Sequence, residues 1–117
     1  MTPVYVALGG AIGAVLRYGV GLLINGAMAT LAVNIVGGFF MGLAFVLFAP
    51  KGMDGWQPFV MTGILGGFTT FSAFSLDVMK MMDGDNLAGA ALYVILSVVL
   101  SVFACGMGVL LAKGLIA

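Results

Sequence analysis

The sequence contains no histidine and a single cysteine, Cys105. Histidine is the most frequent general acid or base in enzymes, and neither a Ser/His/Asp nor a Cys/His arrangement can be built without it. One cysteine cannot form a disulfide within the chain, and it does not support a metal cluster. We therefore expect that this protein is not an enzyme.

Charged residues are also scarce, at 7% of the 117 residues, with four basic and four acidic side chains. A typical soluble domain contains about 25% charged residues, and a nucleic-acid-binding domain presents a basic patch. This composition favours neither class, so we expect no nucleic-acid partner. Hydrophobic residues make up 63% of the chain and the mean hydropathy is +1.28, which indicates an integral membrane protein.

Four long apolar runs follow one another between short polar turns. Because a transmembrane helix needs about 20 apolar residues, the runs predict an all-α integral membrane protein with four transmembrane helices in one domain, 1–117. The predicted helices lie at about 3–24, 29–48, 57–82 and 87–113. No basic segment precedes the first run, so we expect a retained helix rather than a cleaved signal.

The third run has an unusual centre, residues 66–74, with the sequence GGFTTFSAF. Two adjacent glycines lower helix stability, and hydroxyl side chains bring polar atoms to a depth without water. We therefore predict that the third helix is broken at mid-membrane near 66–70 and resumes at Phe71. The break frees backbone carbonyl groups for a cation such as Na⁺, and Phe71 and Phe74 share one face of the resumed helix.

Two polar residues lie inside the first two helices, and each has two interpretations. Asn34 in the second helix is either an interhelical hydrogen-bonding residue or part of a functional site. Arg17 in the first helix either extends its side chain toward the nearby helix end or anchors a pore mouth or buried network. The second interpretation arises because a charge inside the membrane is costly without a partner.

The fourth helix carries polar side chains at intervals of four residues, namely Tyr93, Ser97, Ser101 and Cys105. This spacing places three hydroxyl groups and a thiol along one face of the helix. The hydroxyl groups either form a polar track or bond the backbone carbonyls of their own helix. The sequence leaves both interpretations open.

The polar groups predicted inside the membrane are mainly hydrogen-bond donors. A relay for protons or cations lacks the carboxylate that it needs. Amide and hydroxyl donors, together with the positive edges of aromatic rings, favour a small anion, which a fully charged site would hold too tightly to release. The donors are the Asn34 amide and the hydroxyl groups of Thr69, Thr70, Ser72, Tyr93, Ser97 and Ser101.

Four helices of one chain can hardly enclose a path, so we expect a homodimer. With four crossings, Lys51 and Lys113 lie on one side of the membrane, and Arg17 and Lys80 lie nearer the other. The positive-inside rule then gives no preference for either orientation. Two oppositely inserted copies can form an antiparallel homodimer about a two-fold axis in the membrane plane.

Four segments resemble the Fluc (CrcB) family of fluoride channels, in the same order and over the whole chain. Residues 66–74 resemble the family signature GGFTTFSTF, and residues 30–37 resemble TLxVNxxG. Residues 9–18 resemble GGxxGAxxRY, and the spacing of Tyr93, Ser97 and Ser101 resembles the family's fourth helix. Four such motifs in sequence are specific.

The resemblance implies a dual-topology antiparallel homodimer in the inner (plasma) membrane of a prokaryote, in contact with lipid, with two pores that export fluoride passively. It assigns the fluoride pore to Asn34, Phe71, Ser72, Phe74, Tyr93, Ser97 and Ser101. It places Arg17 near a vestibule. It also implies a central structural Na⁺ held by the backbone carbonyls of Gly66 and Thr69 from both subunits.

The chain departs from the family pattern at Ala73, where threonine is usual, and at Gly38, where serine is frequent. Both departures can alter the ion track without changing the class of protein that the resemblance implies. A small multidrug-resistance-type exporter shares the length and the four helices, but such proteins have a carboxylate in the first helix, which has none here. The pairs Gly9/Gly13 and Gly38/Gly42 predict faces at which helices pack closely. A non-transporting scaffold would use these glycine pairs only for assembly, and the hydroxyl row argues against it.

Overall fold

The computed structural model describes residues 1–48 and 56–116 of the chain. In chain order these residues form α1 (Thr2–Leu23), α2 (Ala27–Phe48), a π-helix (Pro58–Leu65), α3 (Gly66–Phe68), α4 (Phe71–Asp83) and α5 (Leu87–Ile116). The described residues include no strand. The predicted loop at 49–55, with Lys51, lies outside the described residues.

Four segments are long and apolar enough to cross a membrane: Thr2–Leu23, Ala27–Phe48, Pro58–Asp83 and Leu87–Leu115. The predicted all-α architecture with four membrane-spanning helical segments is thereby confirmed. We call Pro58–Asp83 the third segment. Only a minority of the residues in each segment is buried inside the chain, so most of the apolar surface faces outward, toward lipid or another protein.

A tight turn joins the first two helices. Pro3 lies in the first turn of α1, where its missing N–H group would have had no helical partner. Beyond Leu23 the backbone of Ile24 is extended, and Gly26 has a φ of +67°, a conformation that glycine adopts without strain. As a result α2 begins at Ala27, two residues earlier than the sequence predicts.

Glycine residues bring the backbone of α1 into direct contact with the third segment. A Cβ atom on Gly9 would overlap the carbonyl oxygen of Phe59, and one on Gly13 would overlap the carbonyl oxygen of Ile64. Larger side chains at these positions would force the helices apart. The small residues at an interval of four therefore serve close helix packing, as they commonly do in membranes.

The helices α2 and α5 approach each other in the same way. A Cβ atom on Gly38 would lie 2.9 Å from the carbonyl oxygen of Ser101, and one on Gly42 would overlap the carbonyl oxygen of Cys105. The close packing predicted for the Gly38 and Gly42 face is confirmed. It sets α5, with its row of polar residues, directly against α2, which carries Asn34.

The third segment is interrupted at two threonine residues rather than at its glycine pair. Thr69 (φ −84°, ψ 157°) and Thr70 (φ −154°, ψ 122°) have extended backbone, whereas Gly66 to Phe68 are helical. The interruption therefore occupies only the C-terminal end of the predicted interval 66–70. Gly67 is needed for packing, because a Cβ atom there would lie 2.6 Å from the Gly10 carbonyl oxygen.

Candidate functional site

The Asn34 side chain of α2 binds the interruption in the third segment. Its Nδ2 donates to the carbonyl oxygen of Thr70 at 3.1 Å, and its Oδ1 accepts the N–H of Thr70 at 2.8 Å. In a continuous helix that N–H group would donate to the Gly66 carbonyl. Asn34 thus replaces the backbone partner that Thr70 loses, and the interpretation of Asn34 as an interhelical hydrogen-bonding residue is confirmed.

A second contact from outside the segment supports the same region. The half-buried Arg17 of α1 donates through Nε to the carbonyl oxygen of Gly67, at 3.2 Å. This carbonyl lies just before the interruption, where the helical ladder ends. The guanidinium group is therefore anchored to the third segment and does not simply extend toward the end of α1.

The helix α4 restarts at Phe71 with a side-chain cap. The Thr70 hydroxyl accepts the N–H of Ala73 at 3.1 Å, as an N-cap residue does. It also lies 3.2 Å from the hydroxyl of Ser72. The first turn of α4 is therefore fixed relative to Asn34 through the single residue Thr70.

Three aromatic rings follow one another along α4 and α5. Phe71 and Phe74 have ring centroids 5.3 Å apart at an interplanar angle of 45°, and Phe74 and Tyr93 have centroids 5.3 Å apart at 38°. Phe74 is buried, whereas Phe71 is 77% exposed within one chain. The predicted shared face of the two phenylalanines is confirmed, and the ring series connects α4 with the polar row of α5.

Asp77 is a member of this group that the sequence analysis missed. The Tyr93 hydroxyl donates to its Oδ2 at 2.9 Å. The sequence suggests that Asp77 pairs with Lys80 on one face of the third helix, but the structure gives it Tyr93 of α5 as a partner. The available signal was the position of Asp77 three residues after Phe74, which places both on one side of α4.

Two hydroxyl groups of the α5 row are buried without a hydrogen-bond partner among the described residues. They belong to Ser97, which is only 6% exposed, and to Ser101. Ser75, in contrast, donates to the carbonyl oxygen of Phe71 in its own helix at 2.9 Å. The interpretation that Ser97 and Ser101 bond their own helix backbone is therefore wrong, and both hydroxyl groups are available to a ligand.

A cavity of about 380 Å³ brings most of the predicted pore residues together. Its walls are formed by Asn34, Gly37, Gly38, Met41, Thr69, Thr70, Phe71, Phe74, Ser97, Val98, Ser101, Val102 and Cys105. Tyr93 and Ser72 do not line the cavity. The Tyr93 ring packs against the wall residue Phe74, and the Ser72 hydroxyl lies beside that of Thr70. Amide and hydroxyl groups face mainly apolar walls there, without a charged side chain among the lining residues.

Arg17 lines a different cavity, of about 300 Å³. Thr30 and Ala73 also border this space, and Thr70 borders both cavities. The interruption at Thr69 and Thr70 thus lies between a cavity with a cation at its wall and a cavity with neutral donors. An alanine at position 73 leaves the Arg17 cavity wider than a threonine would.

Comparison with known proteins decides the family of the chain. Residues 4–109 match the family described as CrcB-like protein, Camphor Resistance (CrcB). The chain belongs to this family. A CrcB relative from Ruegeria sp. (strain TM1040), "Fluoride-specific ion channel FluC", is 46% identical, over 99% of this chain and 98% of its own.

Two further CrcB relatives have the same printed name. The protein from Erythrobacter litoralis (strain HTCC2594) is 48% identical, over 97% of this chain and 96% of its own. The protein from Paracoccus denitrificans (strain Pd 1222) is 46% identical, over 99% and 98%. The resemblance of the four motifs to the CrcB family is thereby confirmed over nearly the whole chain.

Proposed function

We propose that this protein is a channel through which fluoride leaves the cytoplasm passively. The observation that carries the proposal is the pair of buried, unpartnered hydroxyl groups of Ser97 and Ser101 in a cavity that also contains Asn34 and two aromatic rings. Buried polar groups normally have a partner. The membership of the CrcB family and the names of the relatives support fluoride as that partner.

The chemistry of the cavity suits a small anion that must enter and leave. Hydroxyl and amide donors replace part of the anion's hydration shell, and the positive ring edges of Phe71 and Phe74 add weak attraction. No fixed cation lines the cavity, so binding stays weak enough for release. Arg17 lies in the neighbouring cavity, where its charge raises the local concentration of anions.

We further propose that two oppositely oriented copies form the functional unit, with two pores. Phe71 borders the cavity yet is 77% exposed in one chain, so a second copy would close the wall beside it. The two-against-two distribution of basic residues in the sequence also allows both orientations. The relatives come from bacteria, which supports the inner membrane of a prokaryote as the location.

A structural Na⁺ at the axis of this dimer is part of the proposal. The Thr70 N–H donates to Asn34 instead of to the Gly66 carbonyl, and Gly66 and Thr69 both lie just before this point in the chain. Their carbonyl oxygens are the hard, neutral ligands that such ions accept from unwound helices. Hard cations usually take about six oxygen ligands. One chain offers only these two carbonyl oxygens, so a second chain has to supply further oxygen ligands.

The test is efflux from liposomes that contain the purified protein and equal concentrations of fluoride and chloride. We expect rapid release of fluoride with little release of chloride, in the absence of any proton gradient. Efflux that requires a proton gradient or a cationic drug would instead identify an exporter. Protein that is folded and inserted but releases neither anion would contradict the channel and favour a scaffold.

A further inference from the structure

The cavity contains two sulfur-bearing side chains that the proposed anion pathway does not use. Cys105 of α5 and Met41 of α2 both line it. At this level the two helices are in backbone contact, because a Cβ atom on Gly42 would overlap the carbonyl oxygen of Cys105. A thiol and a thioether therefore border one space from two facing helices.

The same space is built for a ligand and not only for packing. The hydroxyl group of Ser97, which is 6% exposed, has no partner among the described residues, and neither has that of Ser101. Cys105 continues this row one turn beyond Ser101, on the same face of α5. The cavity volume of about 380 Å³ is far larger than the roughly 30 Å³ that one water molecule occupies in the liquid.

The ligand type follows from the softness of the two sulfur atoms. Thiolate and thioether groups select soft metal ions such as Cu(I), whereas carboxylate and carbonyl oxygens select hard ions. No carboxylate or imidazole lines this cavity. A soft monovalent cation, which is satisfied by few ligands, therefore fits the available groups better than a hard divalent cation does.

We propose that Cys105 and Met41 bind a soft monovalent cation of the Cu(I) and Ag(I) class, and that the bound cation blocks the anion pathway. On binding, the Cys105 thiol releases its proton to water and its sulfur bonds the metal. Met41 donates a lone pair of its thioether sulfur, and no electron is transferred. Because the metal ion replaces the thiol proton, the metal thiolate is neutral, and the block is steric: the bound ion joins α2 and α5 across the cavity and obstructs the path of the anion. The proposed metal binding does not depend on the proposed function, whereas the proposed block does.

The binding test uses silver ion on the purified full-length protein in chloride-free nitrate buffer. Cys105 is the only cysteine of the chain, so the wild type is already a single-thiol protein. We expect native mass spectrometry to show one silver ion per chain and the thiol to become protected from alkylation. Cys105→Ser should bind none, and Met41→Leu should bind at least tenfold more weakly. Met107→Leu, outside this cavity, should match the wild type.

The block is tested in liposomes with each variant normalised to its own efflux rate before silver is added. Micromolar silver nitrate should stop fluoride efflux by the wild type and by Met107→Leu, excess free thiol should restore it, and Cys105→Ser should be unaffected. Equal silver binding by Cys105→Ser and the wild type, or equal affinity of Met41→Leu and Met107→Leu, would overturn the site. A silver adduct with unchanged efflux would overturn the block. Protein without any fluoride efflux before silver would refute the proposed function, while the binding test would still decide the metal site.

Discussion

Asn34 satisfies both backbone polar groups of Thr70, the N–H at 2.8 Å and the carbonyl oxygen at 3.1 Å. The two residues are 36 positions apart, so a long-range side-chain contact holds the one place where the third segment leaves its helical ladder. Thr70 in turn caps α4 through its hydroxyl group. The orientation of Phe71 and Phe74 therefore depends on an amide in another helix.

Replacing Asn34 by alanine should destabilise the protein and reduce fluoride efflux together. The change leaves both half-buried polar groups of Thr70 without their partner, and the loss of each hydrogen bond costs about 1 kcal/mol. Thermal unfolding in detergent and liposome efflux measure the two effects. Asn25→Ala, in the exposed turn between α1 and α2, is the matched control. If Asn34→Ala kept its full stability, the hydrogen bonds to Thr70 would not hold the interruption.

Replacing Phe71 or Phe74 by isoleucine should reduce fluoride throughput while the protein remains folded and assembled. Isoleucine is apolar but has no electropositive ring edge, and the loss of about 1.4 kcal/mol of interaction lowers occupancy about tenfold. Efflux and gel filtration are measured on the same preparations. Phe103→Ile, on an exposed part of α5, should keep the wild-type rate. Unchanged efflux in both the Phe71 and Phe74 variants would remove the proposed role of the ring edges.

Replacing Ser97 or Ser101 by alanine should lower fluoride transport without lowering stability. Since neither hydroxyl has a partner among the described residues, its removal should leave the free energy of unfolding unchanged or raise it by about 1 kcal/mol. Fluoride efflux should nevertheless fall, because a donor along the pathway is lost. Ser75→Ala, whose hydroxyl bonds its own helix, should alter neither quantity strongly. A parallel loss of stability and efflux at Ser97 would indicate a structural role instead.

The bond between Tyr93 and Asp77 should appear as an energetic coupling in a double-mutant cycle. Tyr93→Phe keeps the ring beside Phe74 and removes only the donor, and Asp77→Ala removes the acceptor. We expect a coupling of about 1 kcal/mol in unfolding free energy, typical of one hydrogen bond. Tyr5→Phe, in an exposed part of α1, is the control for removal of a phenol hydroxyl. Additive effects of the two substitutions would show that the bond contributes nothing.

The sequence predicted the elements and the packing faces well because both depend on local patterns. Four apolar runs determine four helical segments through length alone, and glycine pairs at an interval of four mark the faces that touch. Asn34 and the row on α5 were also found, since polar residues are rare against an apolar background. Each of these signals lies within one segment.

The details of the interruption could not be predicted, because they depend on contacts between segments. Gly66 and Gly67 suggest a break by their low helix propensity, yet both are helical, and contact with α1 explains Gly67. The extended residues are Thr69 and Thr70, where Asn34 provides the replacement partner. The pairing of Asp77 with Tyr93 likewise requires the relative rotation of α4 and α5, which no local pattern contains.

The packing order of the helices also bears on how the chain is made. α1 packs mainly against the π-helix and α3, and α2 packs mainly against α5, while α1 and α2 have little contact with each other. The ribosome therefore delivers two helices to the bilayer before the partner of either one has been synthesised. Packing of the subunit therefore depends on the second half of the polypeptide, and we expect it to be completed only after the whole chain has been inserted.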